Sequence, residues 1–287
     1  MNRCLHVLRR WSIAIAVPAL LGIGAPAAGA SSEIEKVWSF NGGEVAIHAV
    51  AAGKLAGVVV TPTTFDECAH QAGEQMWTNI TPQGDGSFWG FHQWLFEKSC
   101  APNPTPGPTA WRVMQKANGV RYLLVCFSEP GGPQPTIAPN GAVTGTVRPC
   151  QESAPTAALP VVVSDGGGSG QGAGTEQISF KSTILLPRAA ACVKRGTLKI
   201  KVADPKHDPL KEVIVTAKRR KIADISGVQK LKGGAIVLRG LPSGSYTLKV
   251  RAITVLDQIL TGKRRYHACG RHHRKLKLHR GKGHHHH

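Results

Sequence analysis

From residue 196 onward, apolar and polar side chains alternate with a period of two. "GTLKIKV" sets Leu198, Ile200 and Val202 against Lys199 and Lys201. "EVIVTAK" puts Val213, Val215 and Ala217 on one side, and "SYTLKVRAIT" does the same with Tyr246, Leu248, Val250 and Ala252. Successive side chains of a strand point to opposite faces, so this pattern predicts half-buried antiparallel strands. Upstream the apolar runs are shorter. Strands are predicted near 36–40, 44–51, 55–62, 76–81, 87–97, 110–117, 120–128 and 143–148, separated by turn signals such as "NGG", "QGDG", "PNPTPGP" and "ANG". Many short strands at this spacing predict an antiparallel barrel or sandwich. No run after residue 30 has helical periodicity, although 66–76 has room for one short turn.

The densest aromatic stretch is "GSFWGFHQWLFEKSC", residues 86–100. Read as a strand, it sets Phe88, Gly90, His92, Trp94 and Phe96 on one face and Trp89, Phe91, Gln93 and Leu95 on the other. Both faces are bulky, which predicts a strongly buried or curving core strand rather than a ligand platform. Gly90 suits a point where neighbouring backbone comes close. Trp89, Phe91 and Trp111 are the residues that would line an interior pocket if the barrel held one.

Composition divides the chain. "SAPTAALPVVVSDGGGSGQGAGTEQ", residues 153–177, reads as a Gly/Ser/Pro-rich flexible linker. The expected organisation is a signal peptide over 1–30, an antiparallel β-barrel-like domain over 31–152, that linker, a β-sandwich over 178–270 and a disordered basic, His-rich tail over 271–287. The signal reading rests on Arg3, Arg9 and Arg10 before "WSIAIAVPALLGIGAP" and on "AGA" at 28–30. No later stretch is apolar enough to span a bilayer. Six Cys follow the leader, an even number that in an exported chain reads as disulfides: Cys192–Cys269 is expected to bracket the second domain, and Cys68–Cys100 with Cys126–Cys150 is the expected set among the three connectivities open to the four N-terminal Cys. Secretion, with association to the cell envelope, is the expected location.

Two resemblances refine the folds. "VWSFNGGEVAIHAVAAGKLAGVVV", "NITPQGDGSFWGFHQW" and "WRVMQKANGVRYLLVCF" resemble the small lipocalin-like exported domains grouped as DUF2147, with Trp38, Gly86, Trp89, Gly90 and Leu124 in the matching places. The four Cys and the Pro-rich loop at 101–108 depart from that pattern. "RGLPSGSYTLKV" resembles the closing hairpin of Ig-like and carboxypeptidase-regulatory-like sandwiches of secreted actinobacterial proteins, which implies an Ig-like fold for the second domain.

Charge then points to partners. Residues 31–160 carry seven Lys/Arg against ten Asp/Glu, whereas residues 161–287 carry twenty-six against seven. A field of that size attracts polyanions, an anionic cell-envelope polymer foremost. In the tail, Arg271, Arg274, Lys275, Lys277, Arg280 and Lys282 are the candidate polyanion contacts. Its imidazoles, His272, His273, His284, His285, His286 and His287, are a secondary metal-binding reading. No nucleic-acid motif, no cofactor motif and no catalytic constellation is present. Glu67, beside Cys68 and near His70, is the least implausible acid–base group, and His48, His70 and His92 would meet only if the fold brought them together. The expected function is non-enzymatic binding or adhesion, with the basic sandwich and tail as anchor. The alternative is a lipocalin-like carrier or enzyme with its cavity in residues 35–150.

Overall fold

The computed structural model describes residues 33–268 except 52, 66, 147, 163–174 and 190–196. The first module consists of β1 (Lys36–Phe40), β2 (Gly43–Ala51), β3 (Lys54–Thr61), β4 (Thr63–Phe65), β5 (Cys68–His70), β6 (Gln75–Pro82), β7 (Ser87–His92), β8 (Gly107–Gln115), β9 (Arg121–Phe127), β10 (Thr136–Ile137), β11 (Val143–Thr144), β12 (Gln151–Ser153) and β13 (Pro155–Ala158). Nine of these form one antiparallel sheet in the order β12-β9-β8-β7-β6-β3-β2-β1-β13. Its two end strands are neighbours in the chain. Residues 151–158 therefore pair with β9 first and β1 next, and bring the two open edges together. At the crossing point Ser39 N donates to Ala154 O at 2.8 Å, and Ala154 N donates to Ser39 Oγ at 3.1 Å. Residues 153–158, which composition assigned to the linker, are thus part of the barrel sheet.

A barrel of about eight strands is just wide enough for side chains to fill it. Here Trp38, Trp77, Trp111, Phe88 and Phe127 are fully buried in one cluster with Val45, Ile47 and Leu123. Trp77 meets Trp111 at 5.6 Å and Phe40 at 5.0 Å between ring centres, both edge-on. Gly90 has the role expected of it: a Cβ there would lie 2.6 Å from the Thr78 carbonyl, where β6 bulges toward β7.

A second layer covers the outside of β8 and β9. Ala110, Leu124 and Cys126 pack under Ile137 of the β10–β11 hairpin, and the Cys126–Cys150 disulfide ties this cover to β9. Arg112 holds it from below. Its Nε donates to Ile137 O at 2.9 Å, while Nη1 and Nη2 reach Asp85 O and Oδ2 at 2.8 and 2.6 Å. The Cys68–Cys100 disulfide joins β5 to the loop after β7. Both N-terminal pairings are those expected from the sequence. Disulfides belong to oxidising compartments, so they support an extracellular setting. Cys192 and Cys269 lie outside the described residues.

The rest of the chain holds β14 (Val161–Val162), β15 (Gln177–Ile178), β16 (Ile184–Leu185), β17 (Leu198–Val202), β18 (Leu210–Ala217), β19 (Arg220–Ser226), β20 (Ala235–Leu238), β21 (Ser245–Thr254) and β22 (Ile259–His267). A three-stranded sheet, β16-β17-β20, faces a four-stranded sheet, β19-β18-β21-β22. Between them lie Ile200, Leu238, Val213, Val215, Leu248 and Val250, so the period-two pattern does select the buried face. The fold is all-β, as the sequence predicts.

The two modules meet through apolar contacts. Val37, Ala46, Val58 and Val60 on the outer face of β1–β3 cluster with Val228, Val255 and Leu256. At the rim His207 Nδ1 lies 3.5 Å from Glu44 Oε2, and Gln258 Nε2 donates to Pro160 O at 2.7 Å. Asp208 is fully buried here, with Oδ1 accepting from Leu256 N at 2.9 Å. Burial pushes its carboxyl up to about 7, although the Leu256 and Thr254 hydrogen bonds pull the other way. Between about pH 4 and 7 the folded chain therefore holds a proton that the unfolded chain has released, and stability falls as pH rises through that window. Asp208→Asn keeps an acceptor for Leu256 and removes the charge. It is expected to be more stable than the parent by about 1–2 kcal/mol at pH 8, with the gap closing toward pH 4, in urea unfolding at both pH values.

Candidate functional site

Two regions concentrate chemistry: one end of the barrel, and the outer face of the four-stranded sheet. At the barrel end, β4 and β5 form a small hairpin, Thr63 opposite His70 and Phe65 opposite Cys68, that lays His70 against the end of β7. His92 is the last residue of β7 and pairs across the sheet with Trp77. The two imidazoles stand edge to face with ring centres 5.7 Å apart. Phe65 and Trp94 pack on His92 at 5.0 and 4.7 Å, and the Arg148 guanidinium lies over Trp94 at 5.2 Å.

The hydrogen bonds fix where the protons sit. An indole N–H only donates. Trp77 Nε1 donates to His92 Nδ1 at 3.1 Å, so neutral His92 carries its proton on Nε2. His70 Nδ1 lies 3.1 Å from Glu74 Oε2, and a carboxylate only accepts. Neutral His70 therefore presents a lone pair at Nε2. Both Nε2 atoms are buried without a hydrogen-bond partner among the described protein atoms. Burial holds the His92 ring well below the ordinary imidazole range, with His70 adding to the effect. Burial also lowers His70, offset in part by Glu74 and by the Gln93 backbone. The chemistry here is that of two neutral imidazoles, one a donor and one an acceptor. His92 is a poor metal ligand, because metallation of Nε2 would cost it either that proton or the Trp77 bond. No cluster of three or more metal-ligating side chains occurs among the described residues.

These two histidines line a cavity of about 50 Å³ with Phe65, Cys68, Trp94 and Leu95, and Glu97 and Arg148 complete the wall. Trp94, Leu95, Glu97 and Arg148 also line an open groove of about 440 Å³ that runs over Phe96, Asn103 and Glu129. The expected extended run over 87–97 stops at His92. Beyond it Gln93 Nε2 donates to Asn103 O at 2.6 Å and Trp94 Nε1 to Ser128 O at 3.2 Å, so the chain turns out along the barrel rim.

The sequence-predicted residues fare differently. Trp89 and Phe91 point outward, each 37% exposed, while Trp111 is wholly buried inside. The three do not line one cavity, because β7 alternates strictly and Phe88, Gly90 and His92 take the inner face. His48 faces the junction between modules, near Asp257 and Lys211, and does not join His70 and His92. Glu67 is exposed. The tail residues Arg271 to His287 lie outside the described residues. Sequence reasoning missed the His70–His92 meeting, since it depends on the hairpin that folds Phe65 and His70 back over the barrel end.

The second region is the outer face of β21 and β22. Lys249 stands directly opposite Lys263, Thr247 opposite Arg265, and Arg251 opposite Thr261. Lys249, Arg251, Lys263 and Arg265 have no carboxylate partner among the described residues, unlike Lys211 and Lys221, which reach Asp257 and Asp224 at 2.6 Å. Lys249, Arg251 and Lys263 rim a shallow depression floored by Ile214, Thr216 and Thr261.

No family model matches the chain, and no curated protein matches it. Among solved structures it is similar to the extracellular domain of the hybrid two component system BT3049 from B. thetaiotaomicron, at 11% identity and a TM-score of 0.26. That match covers 80% of this chain and 36% of the other, and at such a score the likeness says nothing further about this fold or its use.

Because both histidines are neutral in the fold and take up protons on unfolding, stability is expected to fall as pH drops below about 6.5. An NMR titration should find His92 in its Nε2–H form throughout the range where the protein stays folded. Glu74→Gln should lower the His70 pKa further, since it removes the carboxylate that partly offsets burial.

Proposed function

We propose that this chain is an exported, non-enzymatic binding protein of the adhesion type, held at an anionic cell-envelope polymer by its basic sandwich and tail. The observation that supports this is the placement of Lys249 and Arg251. Lys and Arg on an edge strand guard it against pairing with other chains, which accounts for Lys263 and Arg265 on β22. β21 is an interior strand of its sheet, and edge protection does not explain cations there. Like charges directly opposite each other weaken a sheet, so the Lys249–Lys263 rung works against folding by some tenths of a kcal/mol. An external polyanion supplies the missing counter-charge. The basic tail over 271–287 would extend the same field.

The sandwich supports a presenting role. Its seven strands fall, in chain order, as first, second and fifth on one sheet and fourth, third, sixth and seventh on the other. Apart from the sheet that takes the fourth strand, this is the Ig constant-type arrangement, and that agreement favours an Ig-like reading of the module. Such sandwiches carry no activity by themselves. The lipocalin-like carrier reading loses support from the barrel interior, which is filled by Trp38, Trp77 and Trp111 where a ligand would sit.

Binding through many exposed cations displaces counterions and weakens steeply with salt. The full chain is expected to be retained on heparin or on anionic cell-wall material at about 50 mM salt and released well before 500 mM. Replacing Lys249, Arg251, Lys263 and Arg265 together by Ser should flatten the salt dependence, by roughly one unit of log–log slope for each cation that met the polymer. Truncation after Cys269 should weaken retention further without unfolding the protein. Retention that ignores salt, or a quadruple variant that elutes with the parent, would show that the sheet face is only a soluble surface.

A further inference from the structure

The cavity behind the groove has an unusual polar complement. Two imidazole nitrogens, on side chains 2% and 0% exposed, are buried without a protein hydrogen-bond partner, and the two rings are part of the wall of a space of about 50 Å³. Leaving such atoms unpaired is unfavourable, so the arrangement suits a group that enters. One nitrogen donates and the other accepts, which decides the chemistry of that group. An anion would meet the His70 lone pair and the nearby Glu97; a cation would meet the His92 N–H and Arg148. A hydroxyl is the small neutral group that accepts and donates through one atom. The space holds a few atoms, the end of a ligand rather than a whole one.

The rest of the ligand would lie in the groove, which shares Trp94, Leu95, Glu97 and Arg148 with the cavity as lining. Phe96 is 47% exposed there and offers an aromatic face, while Asn103 and Glu129 offer polar atoms. Apolar ring faces beside amide, carboxylate and guanidinium groups suit a molecule with apolar C–H faces and many hydroxyls. The Cys68–Cys100 disulfide fixes the wall that carries His70. We propose that this end of the barrel is a binding site for a neutral saccharide, with one hydroxyl lodged between His92 Nε2–H and His70 Nε2 and the sugar ring lying along the groove over Phe96.

The test titrates the full mature chain with neutral hexoses, pentoses, N-acetylhexosamines and their disaccharides, following the imidazole resonances of His70 and His92 and the Trp fluorescence. At least one saccharide is expected to bind saturably and to move both imidazoles. His92→Gln, which keeps an acceptor for Trp77 and a donor for the cavity, should bind nearly as the parent does. His92→Phe should bind about tenfold more weakly or worse. Should His92→Phe fail to fold, Phe96→Ala on the exposed groove wall serves in its place, with binding expected to weaken severalfold. The proposal is overturned if no saccharide moves either imidazole, if Zn²⁺ or a simple carboxylate moves them when no saccharide does, or if the folded His92→Phe or Phe96→Ala protein binds as the parent does.

Discussion

The closure of the first sheet by residues 151–158 is the constraint on which the rest of the molecule depends. A twisted antiparallel sheet with free edges is open both to water and to other chains. One eight-residue stretch meets both edges, β12 on β9 and β13 on β1, with Ser39 clasping Ala154 where it changes partners. The nearly closed sheet wraps around an interior that three indoles fill. It also holds β1, whose outward Val37 is part of the floor on which the second module rests. The Cys126–Cys150 disulfide precedes the closing stretch by one residue and anchors its start to β9, the strand it must find. The crosslink thus lowers the entropic cost of a pairing between segments distant in the chain.

Much of this architecture was legible in the sequence, and the limits are physical. Alternation identifies a buried face only where the other face is polar. β17 and β21 satisfy this with Lys199, Lys201, Lys249 and Arg251, and their inward residues are those the pattern names. β7 does not satisfy it. Its two faces are equally aromatic, so the pattern leaves the inward side open, and the partly exposed side proves to be Trp89 and Phe91. From Ser153 on, the closing stretch ("SAPTAA") reads as linker because Ala, Pro and Ser give no alternation. Its pairing comes from backbone hydrogen bonds offered by the two edges, a demand of the tertiary fold that leaves little trace in side chains. Parity made disulfides readable, but it left three connectivities for the four N-terminal Cys, and the fold forms Cys68–Cys100 and Cys126–Cys150. The meeting of His70 with His92 was not, since it needs a three-residue strand pair, β4 with β5, too short for any periodicity.

The barrel end and the basic face use opposite electrostatic means. At the barrel end, burial removes charge: Trp77 and Glu74 assign the protons of two imidazoles, and what remains is a directional pair of neutral groups. Such groups recognise shape and hydrogen-bonding order, and ionic strength hardly touches them because no net charge is exchanged. On the sheet face the cations stay in water, where each pair interaction is worth little and many must act together. Attraction there is long-ranged, tolerant of geometry and screened by salt. On the reading proposed above, a chain that carries both can separate the tasks of being held and of recognising. Attachment through diffuse charge need not orient the molecule finely, and a neutral site keeps its selectivity close to a highly charged surface. The division follows the sequence itself, in which the acidic first half holds the buried histidines and the strongly basic second half holds the exposed lysines.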